Sequence, residues 1–217
     1  MKRLKPQKVS KLFYDKYVFK VALNCKLASE FRDVTVEQVQ GALDIFIQKI
    51  ANSKNGIYHR RPWDEILVDD VSYADSILSL LRGREDYALR VESSTLNIYS
   101  NDETLIDELA KLRPLSVWGI YKPASGKIKD YLLANKNKVV WENYTHKYKV
   151  TVNALGDNAD AFVDWAKQMP NKVKLNRVPK QSEAYFYVSD LKVLSLCKLF
   201  LGGKLRRVDE MVKESEI

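Results

Sequence analysis

Cysteine and histidine are scarce in this chain, with two of each among 217 residues. Cys25 and Cys197 are far apart and read as small buried apolar residues, so nothing points to a disulfide framework. Two histidines of unrelated spacing, His59 and His146, cannot complete a zinc site with them. A reaction that depends on several histidines is excluded on the same ground. Long apolar runs are missing too, and no stretch approaches the roughly 20 residues that span a bilayer. The N-terminal MKRLKPQKVSKLFYDKYVF is basic, but it has no continuous apolar core and no small-residue cleavage site, against a secretory signal. The eight glycines form no phosphate-cradling loop, and GxSxG and paired-histidine metal motifs are absent. These absences set the first expectation: a soluble, cytoplasmic protein without metal, cofactor or membrane attachment.

Charge is present, and its distribution says more than its total of +8. Residues 1–32 carry nine Lys/Arg against two acids, 33–112 eight against fifteen, 113–180 thirteen against five, and 181–217 six of each. A basic face raises the local concentration of polyanions, and an acidic one does not.

Periodicity supplies the architecture. HKYKVTVNAL (146–155) alternates as a strand. GDNADAFVDWAKQM follows as a helix with Asp157 or Asn158 as cap and Pro170 as stop. KVKLNRV (172–178) and AYFYVS (184–189) are strands joined by a turn over 179–183. Asp190 caps LKVLSLCKLFL, Gly202-Gly203 end it, and KLRRVDEMV (204–212) is a last strand. The order βαββαβ is the ferredoxin-like signature.

The first half repeats it with an insertion. KYVFKVALNCKLA is a strand, and VTVEQVQGALDIFIQKIANS a helix with Val36, Val39, Leu43, Phe46, Ile47 and Ile50 on one face. SYADSILSLLRG is a short helix, DYALRVES and TLNIYS are strands, Asp102 caps DETLIDELAKL, and LSVWGIYK closes the set. "IYSND" at 98–102 and "FYVSD" at 186–190 mark matching strand-to-helix junctions. The expectation is an α+β protein of two tandem ferredoxin-like units: 1–122, with an inserted segment 52–85, and 146–217. A basic connector over 123–145, with a short helix at 127–135, joins them.

Three stretches carry candidate chemistry. In NSKNGIYHRRPWDEILVDD (52–70), His59 would be a general base and Arg60 and Arg61 cations for phosphorane charge, as in a metal-independent endoribonuclease. The competing reading is an exposed histidine whose arginines pair with Asp64, Glu65, Asp69 or Asp70. Those four acids are themselves a weaker candidate for holding Mg²⁺. The other two stretches, FYDKYVFK (13–20) and WENYTHKYK (141–149), interleave aromatics with lysines, which gives bases stacking faces and phosphates counter-charges. SEAYFYVSD adds a further strand, on which either Tyr185 and Tyr187 or Phe186 face away from the core.

At the level of fold, two tandem ferredoxin-like units with His59 resemble the CRISPR repeat-processing endoribonucleases. Their glycine-rich C-terminal loop is represented here only by Gly202-Gly203. The aromatics of SEAYFYVSD resemble the stacking strand of RNA-recognition modules, without that family's glycines. FYDKYVFKVALNCKLASEFR resembles the opening of small proteins encoded by bacteriophages, which implies a viral origin and a host or viral partner.

The function expected is non-catalytic binding of nucleic acid, single-stranded RNA or DNA. Lys16, Lys20, Lys147 and Lys149 would neutralise phosphates, and Tyr17, Tyr144, Tyr148 and Tyr185 would stack on bases. Tyr58, Arg60 and Arg61 would add contacts from the inserted loop. The other class is a protein-binding adaptor, inhibitor or self-assembling protein that uses the segregated charge.

Overall fold

The computed structural model describes residues 4–61, 64–176, 180 and 182–217. Pro62 and Trp63, the end of the strand expected over 172–178, and residues 179 and 181 of the following turn lie outside the described residues. The chain divides into two compact units, Met1–Ala124 and Ser125–Ile217. Among the described residues there are six α-helices and two five-stranded sheets, a mixed α/β architecture consistent with α+β.

The first unit runs β1 (Gln7–Lys8), β2 (Phe19–Asn24), α1 (Val36–Ala51), β3 (Tyr58–Arg61), β4 (Asp64–Ile66), α2 (Val68–Leu81), β5 (Tyr87–Glu92), β6 (Thr95–Ser100), α3 (Glu103–Leu112) and β7 (Val117–Lys122). Helix α1 begins at a reciprocal cap between Thr35 and Gln38 and buries Val39, Leu43, Phe46 and Ile50 at helical spacing. Helix α3 begins where Asp102 accepts from the Thr104 amide at 2.9 Å. The sheet order is β1-β7-β2-β6-β5, with β1 parallel to β7 and the other pairs antiparallel. The 52–70 stretch is not an irregular loop. Its described residues form the antiparallel β3–β4 pair and the start of α2, which opens at Val68 rather than the expected 72. Asp70 accounts for the earlier start, because its carboxylate reaches back to the Leu67 amide at 3.2 Å.

The second unit runs α4 (Gly126–Ala134), β8 (Lys138–Trp141), β9 (Tyr148–Val152), α5 (Ala159–Lys167), β10 (Val173–Leu175), β11 (Ala184–Val188), α6 (Leu191–Leu201) and β12 (Leu205–Lys213). Its sheet order is β10-β11-β9-β12-β8. The segment 123–145, expected as a connector, is largely part of this unit. Strand β8 runs parallel to β12, with Val139 and Val140 opposite Met211 and Val212. The core joins Val150, Val152, Phe186 and Val188 of the sheet to Ala159, Phe162 and Ala166 of α5 and Val193, Leu194 and Cys197 of α6. Both helices therefore cover one face. Asn158 stands at the start of α5 without a side-chain capping bond, whereas Asp190 caps α6 through the Val193 amide at 3.0 Å.

The two sheets correspond strand for strand. The central strand of each (β2, β9) lies between the last two strands of its unit (β6 and β7; β11 and β12). In each, a strand preceding the set (β1, β8) adds in parallel to the outer edge.

Candidate nucleic-acid interface

Strand alternation decides which side chains of the second unit meet solvent. Val150, Phe186 and Val188 point into the helix-covered core, so Lys149, Thr151, Tyr185 and Tyr187 project from the opposite face. Cross-strand register lines up Lys174 of β10 with Tyr187 of β11, and Tyr187 with Lys149 of β9. One ring thus stands between two lysines. Tyr185 packs edge-on against Tyr187 with centroids 5.8 Å apart, and the Lys149 ammonium lies 4.1 Å from the Tyr185 centroid. Burial raises the Tyr187 hydroxyl above its ordinary pKa. Trp141, at the end of β8, is 48% exposed.

The first unit inverts this arrangement. Lys20 of β2 is opposite Tyr99 of β6 on one side and Tyr121 of β7 on the other. Its ammonium lies 5.5 Å from the Tyr99 centroid, 4.8 Å from Tyr121 and 6.0 Å from Phe13. Here one cation stands among three rings, and burial lowers its pKa. Phe13 and Tyr14 close over Tyr99 at 5.3 and 5.0 Å. A turn with left-handed φ at Tyr14 and Asp15 (52° and 55°) brings them there, and Phe13 pairs with Tyr17 across it. Asn101 clamps the segment by accepting from the Val18 amide and donating to the Lys16 carbonyl, both at 3.0 Å. Tyr121 can lie flat because Gly119 is beside it: a Cβ there would be 2.9 Å from the Tyr121 ring. This face satisfies its own cation.

Several expected contacts are corrected by these placements. Tyr17 is 5% exposed and its hydroxyl donates to the Tyr87 carbonyl at 3.0 Å, so it belongs to the first core rather than to a stacking surface. Tyr148 packs inward against the second core. Lys20 is enclosed by rings, and Lys147 is paired with Glu210 at 3.3 Å. Arg60 is held by Asp64 at 2.7 Å and Glu30 at 3.2 Å, with a further bond to the Ser29 hydroxyl at 2.9 Å. Lys16 is exposed, with its ammonium 4.9 Å from the Tyr17 ring. Tyr58 packs on Phe46 and accepts from Lys49 at 3.4 Å. His59 and Arg61 are exposed on β3, opposite Glu65 and Asp64. Tyr144 is partly buried under Lys213, whose ammonium is 5.6 Å from the ring.

Two acids of this region, Asp64 and Asp70, have separate partners. Asp70 is buried and paired with Lys26 at 3.0 Å and Arg113 at 3.4 Å. Among the described residues no three His, Cys, Asp or Glu side chains converge as a metal-binding group. None of the described helices is long and apolar enough to cross a membrane.

Lys174 and Asn101 belong to no sequence motif of candidate chemistry, and Tyr187 enters only as half of an open alternation. The sequence signal for Tyr187 and Asn101 is the repeated junction: Tyr99 and Tyr187 occupy the same place, directly across from Lys20 and Lys149. Lys174 had no such signal. No protein-family model, curated protein or solved structure matches the chain.

Proposed function

We propose that this chain is a non-catalytic nucleic-acid-binding protein of two tandem ferredoxin-like units that takes a single strand of RNA or DNA on the open face of the second unit. The ferredoxin-like reading is supported by strand order. Within each set of four, the strands lie in chain order 4-1-3-2, with one extra parallel edge strand.

The observation that carries the binding reading is the row Lys174–Tyr187–Lys149 beside Tyr185. Rings flanked by ammonium groups suit bases joined by phosphates, and every base has a π-face to stack. The charge balance points to the same unit. The second holds seventeen Lys/Arg against eleven Asp/Glu, and the first nineteen against seventeen. Anisotropy with labelled single-stranded RNA, single-stranded DNA and duplex DNA across a salt series tests it. Binding that prefers a single strand and falls with salt is expected, and no binding at low salt would end this reading.

A second reading, protein binding, is favoured by a different observation. Helix α6 exposes Leu191, Leu196, Leu199 and Phe200, with Leu199 82% exposed. An apolar row of this kind marks contact surfaces between proteins. Clean protein that binds no nucleic acid but self-associates, and loses that association on Leu199→Glu, would favour it.

A further inference from the structure

We infer that a cavity at the edge of the second unit's open face is a pocket for one unpaired nucleobase of a phosphate-bearing nucleotide, an inference that rests on the proposed single-strand binding. The cavity measures about 280 Å³ and is lined by Trp141, Tyr144, His146, Lys174, Tyr187 and Met211. That lies just below the roughly 300–1,000 Å³ of ordinary small-molecule sites, so it accepts a single planar group and not a folded strand.

The lining chooses among ligands. Three aromatic side chains select either a cation or another π-system. The Lys174 ammonium on the wall, and Lys213 against the Tyr144 ring, repel a cation and attract an anion. A planar aromatic ligand carrying negative charge meets both conditions, and a nucleotide is such a ligand.

His146 supplies the polar edge. Its Nδ1 is bonded to the Thr145 hydroxyl at 2.8 Å. Its Nε2 is buried without a hydrogen-bond partner among the described residues. Burial, with Lys174 nearby, lowers the His146 pKa, so the ring is neutral at physiological pH. A buried ring nitrogen lacking a partner is a penalty in the free protein, and a base whose entry turns the imidazole toward its hydrogen-bonding edge would relieve it.

Lys174 also belongs to the lysine-flanked row, so base pocket and strand face are continuous. A strand laid along β11 would place its phosphates near Lys149 and Lys174 and one base in the pocket.

The test uses the full chain, the four nucleoside 5′-monophosphates and ribose 5-phosphate, with binding read by calorimetry. Anisotropy with a labelled oligonucleotide runs in parallel. At least one mononucleotide should bind, ribose 5-phosphate should not, and Trp141→Ala should weaken the mononucleotide at least about tenfold, in line with the loss of a stacking contact. His146→Gln should alter the ranking of the four bases. Trp141 is half exposed, and an unchanged circular-dichroism melt would verify that its variant folds. Should that variant unfold, Lys174→Ala replaces it, with the same loss expected.

No mononucleotide binding at millimolar concentration, equal binding of ribose 5-phosphate, or an unchanged affinity in the folded variants would overturn the pocket. The oligonucleotide arm separates the two ideas. Strand binding without mononucleotide binding removes the pocket and keeps the interface. Mononucleotide binding without strand binding supports the pocket and removes the interface.

Discussion

Lys149 stands directly across from Tyr187 on the face of the second sheet away from α5 and α6, as Lys20 stands across from Tyr99 in the first. The same cross-strand pair has opposite surroundings in the two units. Tyr121 and Phe13 complete a ring of aromatics around Lys20, and Lys174 adds a second cation beside Tyr187. In the first unit one cation stands among rings, and in the second one ring stands between two cations, with Lys149 also across from the buried Asp209 of β12.

Lysine substitutions separate the two faces. Lys149→Ala and Lys174→Ala should each weaken single-strand binding and reduce the log–log salt slope by about 0.7, the value for one lost phosphate contact on a single strand. Lys20→Met should leave affinity unchanged and cost about 1–2 kcal/mol in stability through lost cation–π contact. An affinity loss for Lys20→Met matching that of Lys174→Ala would place the interface on the wrong unit.

Gly119→Ala probes the closed face. The added methyl would meet the Tyr121 ring at 2.9 Å, and the ring, as the far end of a side chain, would swing away from Lys20. The expected cost is about 1 kcal/mol, with a downfield change in the Lys20 methylene resonances as ring-current shielding is lost. Unmoved resonances would show that the ring tolerates a Cβ.

His146 links stability to pH. Its folded-state pKa is lowered from 6.5, chiefly by burial and secondarily by Lys174. The unfolded chain therefore binds more protons just below that value, so this contribution is present above about pH 6.5 and is lost as pH falls toward the lower folded value. Between about pH 7.5 and about pH 5.5, the urea midpoint of the wild type should fall further than that of His146→Gln. Equal falls would mean the imidazole titrates as it does in the unfolded chain.

The two thiols report the units separately. Burial pushes Cys25 up to about 11 and Cys197 up to about 12, so neither has appreciable thiolate at neutral pH. Neither should react with a disulfide reagent in the native protein. In rising urea each should become reactive as its own unit opens, which peptide mapping would resolve. Rapid labelling in the native state would contradict the burial of the thiol concerned.

Asp70→Ala should destabilise the first unit by about 2–3 kcal/mol, because a buried carboxylate bonded to charged groups is lost. Lys26, Arg113 and the start of α2 lose their shared partner. A variant as stable as wild type in urea would show that these contacts contribute little.

Sequence by itself determined what depends on near neighbours. Asp102 and Asp190 announce α3 and α6 because a cap bonds an amide two or three residues onward. Alternation marks 184–189 as a strand, but either parity suits it. Only packing against α5 and α6 put Phe186 inside and left Tyr185 and Tyr187 outside. Strands β1 and β8 could not be read locally, since β8 is ordered by partners some seventy residues later in β12 and a four-residue run holds no periodicity of its own. Separation in sequence likewise hid most of the cations' partners: Arg60 meets Glu30 as well as the nearby Asp64, Lys147 meets Glu210, and Lys20 lies against the Tyr121 ring. Residue type says that a side chain is charged, and the tertiary structure decides whether that charge faces solvent or a partner brought to it by the fold.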